Sequence, residues 1–280
     1  MKTLILFDVD GTLIYSERRD SRCFAQTYTD LYDRPFPTID WSKYPHVSDT
    51  TIFAHLIQQH FQRPVTSTEV AHFKRIYGER LRQHRLDNPH HFYEVPGAAQ
   101  AVAQLLEHPA YLVAVATGGW KESAEIKMQH VGIPSERFWV SGADDKYTRE
   151  EILQEAIQAV QNTPSTFKRI VYVGDAAWDV HTTRNLEMDF VGIRHGHDHD
   201  VLLHLGATQV LSNFLNFELF IKAIEAATPP LANSAWTIPI ISTKCPVPPR
   251  RSPNSWNTPA TSSPWPLAAG KNRPKSKCST

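Results

Sequence analysis

The chain has 280 residues, enough for one large domain or for one domain with a substantial insertion. Hydrophobic residues make up 41% and charged residues 21%, which is typical of a globular protein with a buried core and argues against global disorder. Because the formal net charge is zero, composition gives no electrostatic reason to expect nucleic acid or an anionic membrane as a partner.

Cysteine usage and hydropathy exclude further classes of protein. The chain has three cysteines and no CxxC pair, so neither a disulfide framework nor a zinc knuckle is indicated. The N-terminal apolar run stops at Phe7, which is too early for a signal peptide. No uncharged stretch has the length needed to span a bilayer. We therefore expect a soluble cytoplasmic protein.

Short apolar runs alternate with amphipathic stretches, as in a parallel sheet covered by helices. The runs that predict buried strands are residues 4–7, 111–116, 138–140, 170–173 and 189–193. Helical periods lie between them, at residues 97–106, 121–131, 149–160 and 176–186. The predicted fold is a Rossmann-like, doubly wound α/β core built from residues 1–15 and 90–227.

The connection after the first strand is much longer than a strand–helix–strand crossover needs. Apolar side chains recur there at helical spacing, as at Ile52, Phe53 and Leu56. Thr66 and Glu69 have the spacing of a capping box at a helix start. We interpret residues 16–89 as an α-helical cap domain inserted into the core.

Residues 228–280 have a different composition from the rest of the chain. They contain eleven of the 20 prolines and seven basic residues but no acidic ones, so the preceding part has 22 basic and 29 acidic residues and a net charge of −7. Such a segment cannot bury enough apolar surface to offset the entropy lost on ordering. We predict a disordered C-terminal tail that takes no part in catalysis.

The strongest chemical signal is Asp8-Val9-Asp10-Gly11-Thr12, directly after the first strand. Open α/β sheets bind ligands beyond the carboxyl ends of their strands. Side chains two apart on an extended strand point the same way, so Asp8 and Asp10 address one centre. Two such carboxylates repel each other unless a cation lies between them or one of them is protonated, and Mg²⁺ fits the first case because it prefers oxygen ligands. A plain surface turn stays open as an alternative, since Asp-Gly is a common turn pair.

Three further polar groups follow later strands. Thr117-Gly118-Gly119 offers a hydroxyl and two backbone amides before a helix, as an anion site requires. Lys146 and Arg149 lie between a strand and a helix, where each is a candidate phosphate ligand. Asp175 and Asp179 are four residues apart at a helix start and so share one face. Taken singly, these groups also suit an ordinary turn, surface cations and helix caps.

In this order, the four groups resemble the four motifs of the haloacid dehalogenase superfamily. The resemblance covers residues 1–225 and includes Val95-Pro96-Gly97, a stretch that commonly opens the helix before the second motif in such enzymes. The insertion between the first two motifs is similar to the helical cap of the subgroup that includes phosphoglycolate-phosphatase-like members. The resemblance implies a phosphatase that hydrolyses a small phosphorylated metabolite.

The resemblance also implies a role for each motif residue. Asp8 is the expected nucleophile, which forms an aspartyl-phosphate, and Asp10 the expected general acid and base. Thr117 and the amides of Gly118 and Gly119 are expected to hold the phosphoryl oxygens. The expected Mg²⁺ ligands are Asp8, the backbone carbonyl of Asp10, Asp175 and, directly or through an intervening group, Asp179.

The third motif departs from the commonest pattern of the superfamily. Many relatives have Lys-Pro there, whereas this chain has Asp144-Asp145-Lys146-Tyr147-Thr148-Arg149. Some relatives use an arginine just before the helix. We take Lys146 as the first choice for the phosphate-neutralising cation and Arg149 as a close second.

Two alternative functions stay open: a phosphomutase of the same superfamily and a catalytically silent binding module on the same fold. A dehalogenase is disfavoured because it does not need a carboxylate at Asp10. The histidine-rich residues 195–200 contain metal-ligating side chains, although the stretch is more typical of a surface loop. The sequence indicates neither the substrate nor the oligomeric state.

Overall fold

The computed structural model describes residues 2–16, 18–44, 46–196 and 198–232. The strands in this part of the chain are β1 (Lys2–Phe7), β2 (Ile14–Tyr15), β3 (Tyr93–Glu94), β4 (Tyr111–Ala116), β5 (Trp139–Ser141), β6 (Phe167–Gly174), β7 (Asp189–Ile193) and β8 (Val210–Leu211). The α-helices are α1 (Arg19–Tyr32), α2 (Asp49–Phe61), α3 (Ser67–Asp87), α4 (Ala98–Glu107), α5 (Lys121–His130), α6 (Arg149–Gln161), α7 (Ala177–Asn185), α8 (His199–His204) and α9 (Phe217–Ala226). None of these helices is long and apolar enough to cross a membrane.

Six parallel strands form the central sheet in the order β5-β4-β1-β6-β7-β8. The chain fills one side of β1 first and the other side afterwards, so the order reverses at β1. Phe7 is aligned with Val115 of β4 and with Val173 of β6, and the three strands therefore end at the same level. Ligands bind at such a reversal, outside the carboxyl ends of the strands.

Helices cover both faces of this sheet. Successive residues of β1 alternate between two cores, with Leu4 and Leu6 in one and Ile5 and Phe7 in the other. All four are fully buried, as expected for the middle of a parallel sheet. Helices α6 and α7 contribute to the first core and α4, α5 and α9 to the second. The predicted doubly wound α/β core is confirmed.

The long connection after β1 forms helices α1, α2 and α3, as the apolar spacing predicts. Their aromatic side chains pack on one another, with ring centroids 4.9 Å apart for Phe24 and Phe73 and 4.5 Å apart for Phe53 and Phe73. Trp120, from the turn before α5, stacks on Phe24 and donates its indole N–H to Thr50 (2.9 Å). The inserted helices therefore share one hydrophobic core with the sheet.

A two-stranded antiparallel ribbon connects the inserted helices to the sheet. Strand β2 pairs with β3, which places Ile14 opposite Glu94 and Tyr15 opposite Tyr93. Val95 donates its N–H to the carbonyl of Leu13 (2.9 Å) and extends the pairing. The chain therefore leaves and re-enters the core at one point.

The chain remains on the core beyond α9. Phe190 donates its N–H to the carbonyl of Thr228 (3.2 Å), and Leu231 donates its N–H to Gly206 (2.9 Å). The predicted tail begins at residue 228, and its first residues make these backbone contacts with the core. The predicted disorder of residues 233–280 concerns residues outside the described part of the chain.

Candidate active site

The carboxyl ends of β1, β4 and β6 bring together side chains from distant parts of the sequence. Asp8, Thr117 and Asp175 each follow one of these three strands directly. Asp8 and Thr117 are fixed by backbone hydrogen bonds from their N–H groups to Val173 (2.9 Å) and Ser141 (3.0 Å). They line a cavity of about 420 Å³ between the sheet and the inserted helices, together with four more of the predicted residues, Asp10, Gly118, Gly119 and Arg149.

Three aspartates form a compact acidic group, of which Asp8 and Asp175 line this cavity. Asp8, Asp175 and Asp179 each offer a carboxylate oxygen, and these oxygens lie within 4.8 Å of one another. Burial raises the pKa of Asp175 well above its usual range, and the charges of Asp179 and Asp8 raise it further. Burial also raises the pKa of Asp179 to about 6, although Arg149 opposes the shift. A divalent cation would relieve this excess of negative charge.

The loop after β1 passes directly over Asp175. Gly11 has a φ of +83°, and a Cβ atom built on it would lie 2.2 Å from Oδ2 of Asp175, so glycine is required there. Thr12 donates a long hydrogen bond to the other carboxylate oxygen (3.4 Å). Carboxylates converging in this way, beside a backbone that approaches without a side chain, fit the oxygen donors that Mg²⁺ prefers.

Arg149 is the cation of the third motif that reaches this acidic group. Its Nη2 lies 3.0 Å from Asp8 Oδ2 and 2.6 Å from Asp179 Oδ1, and it donates to the hydroxyl of Tyr172 (2.9 Å). The side chain is only 6% exposed. Burial alone would lower the pKa of Arg149, but Tyr172 and the two carboxylates outweigh that effect and raise it.

Lys146, our first choice from sequence, lies elsewhere. Its ammonium forms an ion pair with Glu155 (2.8 Å) and donates to the carbonyl of Asp144 (2.8 Å). The difference arises because Thr148 caps α6, which makes Arg149 the first helical residue and leaves Lys146 in the turn before it. The geometry reverses our order of preference between the two cations.

The predicted phosphate loop is tightly packed. Thr117 is buried, and its hydroxyl accepts the N–H of Gly119 (3.3 Å). A Cβ atom at Gly118 would lie 2.5 Å from Arg149 Nη1 and 2.5 Å from the carbonyl of Val47. Gly118 therefore lets the loop, the third-motif arginine and the inserted segment meet at the cavity.

The comparison with protein families agrees with this arrangement. Residues 5–193 match the haloacid dehalogenase-like hydrolase family. The chain belongs to this family. The predicted superfamily and the predicted hydrolase class are thereby confirmed.

Solved structures with a similar fold can be aligned with most of this haloacid dehalogenase-like hydrolase. A hydrolase from Pseudomonas syringae has 17% identity and a TM-score of 0.60, with 80% of this chain and 99% of that chain covered. CbbY from Rhodobacter sphaeroides in complex with phosphate has 22% identity and a TM-score of 0.57, with coverage of 78% and 96%. A predicted phosphoglycolate phosphatase from Haemophilus somnus 129pt has 16% identity and a TM-score of 0.53, with coverage of 79% and 98%. No curated protein sequence matches the chain.

The hydrolase also contains a buried cation that our sequence analysis missed. Lys127 on α5 is 3% exposed, and its Nζ lies 2.6 and 2.5 Å from the two carboxylate oxygens of Asp10. It also lies 3.2 Å from Oδ2 of Asp20 on α1. One feature of the sequence could have indicated Lys127. It lies one helical turn after Ser123 in the helix that follows Thr117-Gly118-Gly119, so both side chains share one face of that helix. In the structure both line the cavity.

Burial and neighbouring charges shift the pKa values of Lys127 and of its two carboxylate partners. Although 36% of the Asp10 side chain is exposed to the cavity, removal from bulk water raises its pKa to about 7, and Lys127 opposes this shift while Asp20 and Asp8 add to it. Burial would lower the pKa of Lys127, but Asp10 and Asp20 outweigh it and raise the value. Burial would raise the pKa of Asp20, yet Lys127 and a hydrogen bond from Ser16 (2.6 Å) lower it overall.

The inserted helices supply the opposite wall of the cavity. Asp49 lies there at the start of α2, and its carboxylate accepts the N–H of Trp120 (3.0 Å). Burial raises the pKa of Asp49 to about 7. The neighbouring Ser48 caps α2 by accepting the N–H of Thr51 (3.3 Å).

Among the described residues, the side chains that lie close enough together to hold a metal ion are Asp8, Asp175 and Asp179. The described part of the histidine-rich stretch at residues 195–200 forms no such group. His197 lies outside the described residues. His199 instead shares a hydrogen bond with Ser212 (2.9 Å).

Proposed function

We propose that this hydrolase is a cytoplasmic, Mg²⁺-dependent phosphatase that cleaves a small phosphorylated metabolite through an aspartyl-phosphate on Asp8. The observation that carries the proposal is the position of Asp8, which lines the cavity, is 4% exposed, belongs to the acidic group and contacts Arg149. Phosphoryl transfer depends mainly on positioning and on neutralisation of charge, and this site supplies both. Family membership supports it, as do two solved structures of similar fold, CbbY in complex with phosphate and a predicted phosphoglycolate phosphatase.

In the first step, a carboxylate oxygen of Asp8 attacks phosphorus while the bond from phosphorus to the leaving oxygen breaks. The N–H of Val9 holds Oδ1 of Asp8 (2.8 Å) and so fixes the orientation of the carboxylate. Asp10 gives its proton to the leaving oxygen, which departs as an alcohol. In the second step, water attacks the phosphoryl group and passes a proton to Asp10, and the bond to Asp8 breaks to release phosphate.

Charge on the phosphoryl oxygens is balanced from two directions. We propose that the hydroxyl of Thr117 and the amides of Gly118 and Gly119 donate to these oxygens and that Arg149 neutralises them beside Asp8.

The acidic group is the proposed metal site. When bound, Mg²⁺ would neutralise the aspartates and the transferring phosphoryl group. We propose Asp8, the backbone carbonyl of Asp10 and Asp175 as direct ligands. Asp179 is proposed to orient them, because its oxygens already accept from Arg149 and from the N–H groups of Asp175 and Ala176.

The test measures phosphate release from a panel of phosphorylated metabolites, with Mg²⁺ and with EDTA. We expect Asp8→Asn to lower turnover by a factor of more than about 1000, because a neutral amide cannot form the acyl phosphate. EDTA should abolish activity, Mg²⁺ should restore it, and Ca²⁺ should inhibit because it prefers more ligands at longer distances. Asp87→Asn, at an exposed carboxylate at the end of α3, is the matched control.

Turnover of Asp8→Asn within tenfold of the wild-type rate, or full activity in chelator, would refute the proposal. Conversion of a sugar phosphate into its isomer without phosphate release would identify a phosphomutase instead. Binding of metabolites with no turnover of any of them would identify a silent binding module.

A further inference from the structure

The contacts of Lys127 join three parts of the chain that are far apart in sequence. Its ammonium lies between Asp10, in the loop after β1, and Asp20, in the first turn of the inserted helix α1. Ser16 donates to the second oxygen of Asp20 (2.6 Å), which anchors that carboxylate at the point where the chain leaves the core. The result is a continuous polar connection from the ribbon, through α1 and α5, to Asp10.

Burial makes this connection rigid. An ammonium group removed from water is strongly destabilising unless charged or polar partners surround it. Lys127 has only 3% of its side chain exposed and therefore depends on both carboxylates. Asp10, by contrast, is 36% exposed to the cavity and would be free to rotate without a fixed partner.

The two buried cations, Arg149 and Lys127, contact different catalytic candidates. Arg149 contacts Asp8, the proposed nucleophile, and Lys127 contacts both oxygens of Asp10, the proposed acid and base. The two functions can therefore be impaired separately. A change at Lys127 leaves the contacts of Asp8 in place.

We propose that Lys127 is a positioning residue that directs Asp10 at the leaving oxygen, and that Asp20 of α1 holds Lys127 in this position. The inference rests on the proposed phosphatase function. When Asp10 gives up its proton to the leaving oxygen, the carboxylate that results keeps its two contacts with the ammonium. The negative charge thus develops beside a positive charge that needs no rearrangement.

The test compares kcat/KM for two substrates whose leaving groups differ in their need for a proton. The leaving group of p-nitrophenyl phosphate departs as a stable anion, whereas that of an alkyl phosphate such as glycerol 3-phosphate must be protonated. For Lys127→Met we expect kcat/KM to fall about 100-fold for the alkyl ester and less than about fivefold for the aryl ester. Lys127→Arg should recover part of the loss.

Two variants keep the test decisive. Asp20→Asn preserves the pair of Lys127 with Asp10 and should show a smaller loss, again larger for the alkyl ester, even if Lys127→Met does not fold. Lys121→Met removes an exposed lysine of the same helix, paired at 3.9 Å with Glu125, and should leave both substrates unchanged.

The outcomes separate this inference from the proposed function. Equal losses for the two esters in Lys127→Met, or in Asp20→Asn if Lys127→Met does not fold, would overturn the positioning role and leave the phosphatase intact. If the wild-type protein hydrolyses neither ester nor any other phosphate, the proposed function fails, and the inference that depends on it fails as well.

Discussion

The position of Arg149 is tightly constrained, because its Nη2 alone contacts the carboxylates of Asp8 and Asp179 and the hydroxyl of Tyr172. Removing the side chain would leave Asp8 and Asp179 uncompensated, at a cost of about 3–5 kcal/mol in stability. Arg149→Lys retains the charge but lacks the planar fork. We expect it to fold and to lower kcat by a factor of about 10–100, as misplaced electrostatic groups do.

Lys146→Ala is the matched variant for Arg149→Lys. Its ion pair with Glu155 has little effect on stability, since one partner is 41% exposed, so turnover and melting temperature should stay close to the wild-type values. Steady-state kinetics and thermal unfolding of both variants decide the assignment. An inactive Lys146→Ala beside an active Arg149→Lys would return the third-motif role to Lys146.

Gly11 gives a second test at the level of one residue. In Gly11→Ala the new Cβ would overlap Asp175, and a positive φ adds strain of about 1–2 kcal/mol. We expect turnover to fall about 100-fold, since a displacement near 1 Å at a catalytic group has that effect, together with weaker activation by Mg²⁺.

Gly132→Ala separates the clash from the strain. Gly132 also has a positive φ (+77°), but nothing lies within 4 Å of the Cβ position. This variant should lose about 1–2 kcal/mol of stability and keep full turnover. Equal turnover in the two alanine variants would show that Gly11 acts only through its backbone conformation and not through Asp175.

We expect the stability of the first turn of helix α3 to depend on pH. Thr66 and Glu69 form the predicted capping box, and Glu69 also forms an ion pair with Arg63 (2.6 Å). The hydrogen bond from Arg63 lowers the pKa of Glu69 from 4.5 to about 2. Because the pKa is lower in the folded than in the unfolded state, the carboxylate stabilises the fold above pH 4.5 and this stabilisation is lost as the pH falls towards 2.

We therefore expect Glu69→Gln to lower the free energy of unfolding by about 1 kcal/mol at pH 7, with the difference shrinking below pH 4.5. Urea unfolding at pH 7, 5, 4 and 3 measures the effect. Glu79→Gln is the control, because its pair with Arg75 in the same helix is 56% exposed and contributes less than about 0.5 kcal/mol. A difference for Glu69→Gln that is constant with pH would contradict the assigned cause.

Buried elements were predictable where apolar runs are uninterrupted, and less so at their ends. Residues 4–7 were predicted as the first strand, which in the structure begins at Lys2, because polar residues at the sheet margin pair through their backbone alone. Strands β2 and β3 have two residues each and were not predicted. They form because the two ends of the inserted segment pair with each other, and such a contact between distant residues cannot be predicted from the local sequence.

The site was predictable to the same extent. Aspartates directly after buried strands indicate an edge of the sheet, and the register of β1 with β4 and β6 brings them together. Lys127 was missed because its partners, Asp10 and Asp20, are more than 100 residues away in the chain. In sequence it is one lysine among the several polar residues of α5. Only tertiary packing shows that it is buried.

Truncation can test whether the last described residues stabilise the fold. A chain that ends at Ala232 should match the full-length protein in turnover and melting temperature, since composition predicts no catalytic role for the residues that follow. A chain that ends at Ala227 loses five hydrogen bonds, which join Thr228 to Phe190 and Thr208, Pro230 to Arg184, and Leu231 to Gly206 and Arg184. At about 1 kcal/mol each, their loss should lower the melting temperature by about 10–20 °C.

Differential scanning calorimetry and phosphate release on the three chain lengths provide the measurement. Equal melting temperatures for the chains ending at Ala227 and Ala232 would show that the last contacts do not stabilise the core. A loss of activity in the chain ending at Ala232 would assign a function to the proline-rich residues.

The ribbon formed by β2 and β3 has a consequence for how such a protein can be rebuilt. Residues paired across an antiparallel ribbon lie about 5 Å apart, so a short turn from Tyr15 to Tyr93 would close the core without altering the register of its sheet. The helices between them form a cassette that can be exchanged while the aspartates at the strand ends stay in place. Two conditions limit the exchange. The replacement must cover the hydrophobic core that the inserted helices share with the sheet, and it must satisfy Lys127. Any replacement must offer Lys127 a carboxylate where Asp20 now stands, or the graft will bury an ammonium that has lost half of its charge balance.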